Sequence, residues 1–199
     1  MRGVVIKSTG SWYIVKTDDG ELLNCRIRGK FRMQDIKSTN PIVVGDKVLV
    51  SNEDDSFIID ELFDRKNIIV RKSVNLSKQT HILASNVDQA ILVVTMKSPQ
   101  TSTGFIDRFL VSAQAYGVDV IILFNKTDLY DQVTLALLEE RRSIYQKIGY
   151  RCLSKSTLND DLSDIKELMK DKVNVISGHS GVGKSTLLNS IQPNLNITT

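Results

Sequence analysis

Short stretches of alternating apolar and polar residues dominate the first third of the chain. Between Gly3 and Lys72 they are rich in Val, Ile and Thr, and turn-forming clusters at residues 8–10 and 18–20 separate them. Alternation with a period of two residues is typical of strands that bury one face. The pattern therefore predicts antiparallel strands at about residues 3–7, 12–17, 21–28, 46–51 and 57–62.

Five short strands with no convincing helix indicate a small closed β-barrel. The number and length of the strands fit an OB-fold, a five-stranded barrel that often binds oligonucleotides. An SH3-like barrel is the alternative that the pattern leaves open.

From about residue 86 the pattern changes to near-continuous apolar runs separated by helical periodicity. Residues 87–95 and 118–124 are such runs, typical of parallel strands covered on both faces. Between them, residues 105–116 place apolar side chains at helical spacing, with Thr103 as the expected N-cap. This alternation predicts an α/β domain with a doubly wound parallel sheet. The remaining elements are expected as helices at 132–148, 162–169 and from about Lys184, and as strands at 150–153 and 173–177.

The change in the pattern of apolar and polar residues divides the chain into three parts. We assign a barrel to residues 1–72, a polar linker to residues 73–85, and the α/β domain to residues 86–199.

Composition excludes several classes of protein. With 199 residues, 41% hydrophobic and 25% charged, the chain is unlike collagen, a disordered chain or a coiled-coil rod. No apolar run approaches the roughly 18 residues of a membrane span, and the apolar stretch before Lys7 is too short for a signal peptide. Cys25 and Cys152 form no closely spaced pair, which suits a reducing cytosol. We expect a soluble cytoplasmic protein without a membrane partner.

A phosphate-binding loop is the strongest motif. Residues 178–185 match the pattern G-x-x-x-x-G-K-[ST] and lie between a predicted strand and a predicted helix. Glycines allow successive N–H groups to turn onto a phosphate at the positive end of the helix. Lys184 is expected to reach the β- and γ-phosphates and Ser185 to ligate Mg²⁺, which makes them the catalytic candidates. The expected nucleotide contacts here are Gly178, His179, Ser180, Gly181, Val182, Gly183, Lys184, Ser185 and Thr186, with His179 interpreted as an ordinary loop residue.

Residues 125–128, Asn-Lys-Thr-Asp, follow the second apolar strand at the end where open α/β sheets bind ligands. Asp128 can accept hydrogen bonds from guanine N1–H and the exocyclic amino group, a donor pair that adenine lacks. Asn125 is expected to brace the neighbouring loops and the Lys126 stem to cover the purine, with Thr127 between Lys126 and Asp128. After the next strand, Ser154 is expected to offer its backbone N–H to guanine O6, with Lys155 beside the base.

The order of these motifs is inverted relative to an ordinary GTPase. The Asn-Lys-x-Asp loop precedes Lys184 in the chain, whereas the phosphate-binding loop normally comes first. The order predicts a circularly permuted G domain.

Basic residues of one parity mark a candidate RNA-binding face on the barrel. If residues 24–32 are extended, Arg26, Arg28, Lys30 and Arg32 project from one side. Trp12 and Phe31 can supply stacking surfaces, as in OB-fold RNA binders. A solvated strand face explains the same pattern, so the residues alone leave both interpretations open. Residues considered as an extension of the patch are Arg65, Lys66, Arg71 and Lys72.

The whole combination resembles the RsgA family of small-ribosomal-subunit-dependent GTPases. The resemblance is carried by the barrel, the block at residues 106–111 (Ile-Asp-Arg-Phe-Leu-Val), residues 125–128 and residues 178–186. It implies GTP or GDP with Mg²⁺ as ligands, and GTP hydrolysis that the 30S subunit stimulates late in its maturation. It also implies a monomer whose basic barrel face contacts 16S rRNA, chiefly through phosphates.

In that family the switch elements and a Cys/His zinc knuckle follow the phosphate-binding loop. Few residues follow Ser185 here, so we interpret the chain as an N-terminal portion of such a protein. Zn²⁺ is expected to belong to the family's C-terminal domain and not to bind this chain. The alternatives are a P-loop ATPase or kinase, and a non-catalytic RNA-binding module with a vestigial nucleotide site.

Overall fold

The computed structural model of the chain describes residues 1–27, 41–53, 56–72, 80–195 and 197. The chain divides into two compact units, Met1–Val87 and Asp88–Thr199. The first contains a closed β-barrel and the second a parallel sheet with helices, which confirms the expected fold class.

The barrel has five strands in the order β1-β2-β3-β5-β4, and β4 pairs with β1 to close it. β3 and β5 are parallel, whereas the other neighbours are antiparallel. This arrangement is that of the OB-fold and decides between the two expected barrels. The strands are β1 Arg2–Ser8, β2 Tyr13–Thr17, β3 Leu22–Ile27, β4 Lys47–Glu53 and β5 Ser56–Leu62.

Alternate side chains of the barrel strands form its core. On β3, Leu23 and Cys25 are buried, so Arg26 points to solvent as its parity requires. Burial also raises the pKa of the Cys25 thiol to about 11. The buried core residues are Val5, Tyr13, Val15, Leu23, Cys25, Ile42, Val48, Val50 and Ile59.

A hairpin follows the barrel within the first unit. Its strands are β6 Ile68–Lys72 and β7 Thr80–Ser85, which pair antiparallel. The linker expected at residues 73–85 is therefore wrong over residues 80–85, while residues 73–79 lie outside the described residues. The strand was missed because residues 80–85, Thr-His-Ile-Leu-Ala-Ser, do not alternate between apolar and polar residues.

Asp46 lies at the centre of a buried polar cluster beside the hairpin. It is fully buried, and its two carboxylate oxygens accept hydrogen bonds from Arg65 Nε and Nη2, both at 2.7 Å. Val43 N–H at 2.8 Å and the Ser85 hydroxyl also donate to it. The interpretation of Arg65 as part of a basic surface patch is therefore wrong, because this guanidinium is bound to a buried carboxylate.

The second unit contains a four-stranded parallel sheet in the order β10-β9-β8-β11. The strand order reverses at β8, since β9 and β10 lie on one side of it and β11 on the other. Every residue of β8 is buried, which explains its continuous apolar run. The elements are β8 Gln89–Val94, α1 Thr103–Ala115, β9 Asp119–Phe124, α2 Gln132–Lys147, β10 Arg151–Ser154, α3 Ser163–Met169, β11 Asn174–Ser177 and α4 Lys184–Ile191.

Side-chain caps begin the two longest helices. The cap of α1 is Ser102, whose hydroxyl accepts from Phe105 N–H, so the expected cap at Thr103 is wrong by one residue. Asp131 caps α2 by accepting from Thr134 N–H at 2.8 Å. Hydrogen bonds from Thr134 and Lys97 hold the pKa of the Asp131 carboxyl well below its usual value. Within the described ranges, no helix is both long and apolar enough to cross a membrane.

Candidate functional site

The loops that follow the parallel strands meet at one edge of the sheet. Open α/β sheets bind ligands at this edge, next to the point where the strand order reverses. Here that point lies between β8 and β11. The loop after β11 is the glycine-rich motif, and the loop after β9 is the Asn-Lys-Thr-Asp motif.

Backbone geometry explains two glycines of the phosphate-binding loop. Gly178 has a φ of +147°, and a Cβ there would lie 2.3 Å from the Val93 carbonyl oxygen. Gly183 has a φ of +99°, and a Cβ there would lie 2.3 Å from Asn125 Nδ2. A larger residue at either position would push the loop away from β8 or from the Asn-Lys-Thr-Asp loop.

Helix α4 begins without a side-chain cap. Gly183 stands at its N-cap position and supplies no hydrogen-bond acceptor, unlike Ser102 and Asp131 on the two longest helices. The first N–H groups of a helix need acceptors, and together with the helix dipole they attract anions. The preceding residues 179–181 are exposed, so a phosphate can approach this helix end from solvent.

Lys184 folds back across the loop. Its Nζ donates to the His179 carbonyl oxygen at 2.6 Å, and the His179 ring packs against Phe105 with ring centroids 3.9 Å apart. The ammonium group therefore lies beside the loop that would cradle a phosphate. Ser185 and Thr186 follow in the first turn of α4, and both are partly buried.

Asn125 joins three loops of the site. It is 1% exposed, and its Nδ2 donates to the Val182 carbonyl oxygen in the phosphate-binding loop at 2.9 Å. Its Oδ1 accepts from Thr157 N–H at 3.0 Å, and its own N–H donates to the Val94 carbonyl oxygen at 2.8 Å. The bracing geometry expected for Asn125 is present, with Thr157 as a partner that the sequence did not reveal.

The rest of the Asn-Lys-Thr-Asp loop lies at the open edge of the sheet. Lys126 adopts a left-handed conformation with a φ of +64°, and its Nζ donates to the Ser98 carbonyl oxygen at 2.6 Å. Thr127 and Asp128 form part of a short 3-10 turn, Thr127–Leu129. The Asp128 side chain is exposed, so its carboxylate is accessible to a ligand.

The two residues expected after β10 differ in their placement. Ser154 ends β10, and its hydroxyl is buried with no hydrogen-bond partner among the described residues. Lys155 points toward α3, where its Nζ contacts Asp164 Oδ2 at 3.1 Å and donates to the Asp161 carbonyl oxygen at 3.0 Å. The structure thus places the Lys155 ammonium group at the N-terminal end of α3, beside the Asp164 carboxylate.

Only Arg26 of the four expected RNA contacts lies within the described residues. Its guanidinium carbon stands 4.0 Å from the centroid of the Trp12 ring, and Trp12 is 46% exposed. The pair forms an exposed cationic and aromatic surface on the barrel. The residues outside the described ranges are Arg28, Lys30, Arg32 and, as a stacking candidate, Phe31.

Two observations bear on metal ions. Among the described residues, no group of three or more His, Cys, Asp and Glu side chains could hold a metal. A single hydroxyl next to a phosphate-binding loop, as Ser185 provides, fits Mg²⁺, which takes oxygen ligands and usually shares them with nucleotide phosphates. The absence of Zn²⁺ from this chain stays a prediction.

These features define a P-loop nucleotide-binding domain whose base-recognition loop precedes its phosphate-binding loop. The sequence matches the RsgA GTPase family over residues 62–199 and the RsgA N-terminal domain over residues 2–57. The chain belongs to the RsgA GTPase family.

Two bacterial relatives carry the name small ribosomal subunit biogenesis GTPase RsgA. The Bacteroides fragilis protein is 55% identical over 201 residues, which cover 100% of this chain and 65% of that protein. The Flavobacterium psychrophilum protein is 53% identical over 207 residues, which cover 100% of this chain and 63% of that protein. The chain thus spans less than two thirds of the length of these relatives.

Solved structures agree with this assignment. The crystal structure of YjeQ from Thermotoga maritima has a TM-score of 0.78 at 38% identity, covering 99% of this chain and 66% of that one. The structure of YloQ, described as a circularly permuted GTPase, has a TM-score of 0.71 at 36% identity. The match covers 97% of this chain and 64% of the YloQ chain. The inverted order of motifs in this chain is therefore shared with a solved structure.

Proposed function

We propose that this protein is a cytoplasmic factor that binds and hydrolyses GTP during late maturation of the small ribosomal subunit. In this proposal the subunit stimulates the hydrolysis. The observation that carries the nucleotide assignment is the bond from Asn125 Nδ2 to Val182, because it joins the base-reading loop to the phosphate-binding loop. The names of the relatives support the ribosomal role. We assign the barrel at residues 1–72 to RNA binding and residues 86–199 to the GTPase domain.

The phosphate-binding loop would hold the β- and γ-phosphates. The uncapped N–H groups at the start of α4 would face the phosphate oxygens, and Lys184 would leave the His179 carbonyl to contact them. Residues 178–186 would line this cradle with their backbone. The Ser185 hydroxyl would hold Mg²⁺, which when bound neutralises charge on the β- and γ-phosphates.

The loops after β9 and β10 would read the base. Asp128 is exposed and would accept from guanine N1–H and the exocyclic amino group, while Lys126 and Thr127 would flank the ring. We retain Ser154 N–H as the proposed donor to guanine O6. Contact of Lys155 with the base requires its release from Asp164.

The exposed pair of Arg26 and Trp12 would contribute to an rRNA-binding surface. An arginine held over an aromatic ring presents a cation to phosphates, and the exposed part of the Trp12 ring would stack on a base. We propose 16S rRNA as the partner of this surface and a monomeric state for the protein.

Nucleotide competition separates the proposal from its rivals. Labelled GDP should bind the chain saturably, and ADP should compete at least about a hundredfold more weakly, because adenine lacks the donor pair that Asp128 reads. The measurement is a fluorescence titration with each competitor. Equal competition by ADP would favour an ATPase or kinase, and no saturable GDP binding would favour an RNA-binding module with a vestigial site.

The ribosomal role is tested on a full-length relative, because this chain spans less than two thirds of the length of such a protein. Association with the small subunit should be tighter with a GTP analogue than with GDP in co-sedimentation. Indifference to the nucleotide would favour the passive RNA-binding module.

The change of Asp128 to Asn should transfer preference from guanine to xanthine nucleotides. An asparagine amide cannot accept both guanine donors, but it can donate to the extra xanthine oxygen, so GDP affinity should fall roughly ten- to a hundredfold. Xanthosine diphosphate should bind better than GDP in the same titration. Asp119→Asn is the matched control, because Asp119 is an exposed aspartate at the opposite end of β9. If Asp128→Asn keeps wild-type preference for GDP, Asp128 does not read the base.

A further inference from the structure

The loop between β8 and α1 forms a wall of the site, although it belongs to neither nucleotide-binding motif. Pro99 packs against the phosphate-binding loop, with its Cδ 3.5 Å from where a Cβ on Gly181 would stand. In the same loop the Ser98 carbonyl oxygen accepts from Lys126 Nζ at 2.6 Å. The loop therefore contacts both the phosphate-binding loop and the base-recognition loop.

Tyr130 ties this loop to Asn125. Its side chain is buried, and its hydroxyl accepts from Met96 N–H at 2.8 Å while it donates to the Asn125 carbonyl oxygen. Burial raises the pKa of the phenol, so the group keeps its proton at neutral pH and remains a donor. The hydroxyl thus uses both its donor and its acceptor capacity inside the protein.

Asn125 is held at its backbone and at its side chain by different segments. Its N–H bonds to Val94 and its carbonyl to Tyr130, while its amide bonds to Val182 and Thr157. A shift of the Asn125 backbone would move the amide away from Val182. The only bond to the carbonyl that the described residues show comes from the Tyr130 hydroxyl.

We infer that Tyr130 is a positioning residue of the nucleotide site, which fixes Asn125 and thereby holds the phosphate-binding loop against the base-recognition loop. This inference rests on the proposed function. It adds a residue outside the Asn-Lys-x-Asp and phosphate-binding motifs, acting through Asn125 and without touching the ligand.

Tyr130→Phe removes the hydroxyl and keeps the ring. GDP should bind this variant about five- to tenfold more weakly, in line with the loss of one or two buried hydrogen bonds. Tyr145→Phe is the matched control. Tyr145 is also buried, and its hydroxyl on α2 donates to Asp107 Oδ1 on α1 at 2.9 Å. The Tyr145→Phe variant should therefore lower the thermal unfolding temperature about as much as Tyr130→Phe does, and it should leave GDP affinity within about twofold of the wild type.

A second readout needs no nucleotide. In ¹⁵N-labelled protein without ligand, the side-chain amide resonances of Asn125 should move toward those of a free amide in Tyr130→Phe and stay unchanged in Tyr145→Phe. If both variants weaken GDP binding equally, or neither does, Tyr130 has no positioning role. If wild-type protein binds no GDP, the proposed function fails, and the Asn125 resonances alone then decide: a shift confined to Tyr130→Phe supports the inference and no shift overturns it.

Discussion

Replacement of Gly183 by alanine is expected to weaken GDP binding by more than about a hundredfold. Gly183 has a φ of +99°, and the added Cβ would stand 2.3 Å from Asn125 Nδ2. A flexible side chain would move aside at little cost. Asn125 is instead 1% exposed and bonded at its amide to Val182 and Thr157, so relief of the contact breaks the link between the two nucleotide loops.

Gly149→Ala is the matched control for this substitution. Gly149 has a φ of +97°, almost the value at Gly183, yet a Cβ there would meet no atom within 4 Å. Both variants carry the same cost of a left-handed residue, about 1–2 kcal/mol, but only Gly183→Ala disturbs the site. A titration with labelled GDP, with thermal unfolding in parallel, separates the two. Equal GDP affinity in the two variants would show that contact between Gly183 and Asn125 is not needed for binding.

The sequence predicted the strands and motifs of the site well because local rules fix them. Apart from Gln89 and Asp119 at their first positions, β8 and β9 are apolar, because nearly all of their residues are buried. Gly178 and Gly183 hold backbone conformations that other residues rarely adopt. A motif between a strand and a helix therefore located the phosphate-binding loop without any knowledge of tertiary contacts.

What the sequence did not reveal depends on contacts between distant segments. Tyr130 and Thr157 look like ordinary loop residues, and their partners Met96 and Asn125 are set by the packing of loops from different strands. The direction of Lys155 was likewise decided by Asp164 on α3, which the motif does not include. A short motif therefore predicts which type of side chain lies in a loop, but it does not predict which residue that side chain contacts.

The barrel unit shows the same limit. Alternation predicted its five barrel strands, whereas the burial of Asp46 depends on Arg65 and Ser85, which lie 19 and 39 residues further along the chain. The strand β7 is defined by its pairing with β6 and not by a pattern of its own. Arg65 was interpreted as a surface cation because the sequence shows that the residue is charged but not which carboxylate it contacts. Its carboxylate partner lies in the loop before β4.

Asp46→Ala is expected to lower the free energy of unfolding of the barrel unit by about 3–5 kcal/mol. The substitution would leave the Arg65 guanidinium without its carboxylate, and the N–H of Val43 and the hydroxyl of Ser85 without their acceptor. Urea unfolding followed by tryptophan fluorescence measures this directly, because Trp12 is the single tryptophan of the chain and lies in the barrel.

Two further variants show whether the loss comes from an uncompensated buried charge. Glu139→Ala removes an exposed partner of Arg142 at 3.0 Å on α2 and should cost at most about 1 kcal/mol. Because α2 belongs to the second unit, the unfolding of this variant is followed by far-ultraviolet circular dichroism and not by Trp12 fluorescence. Asp46→Ala combined with Arg65→Met should be more stable than Asp46→Ala alone, because the double variant leaves no unpaired guanidinium in the cluster. If the single change at Asp46 costs no more than Glu139→Ala, the cluster contributes no more than a surface ion pair. If the double variant recovers nothing, the loss comes from the orphaned N–H and hydroxyl donors and not from the charge of Arg65.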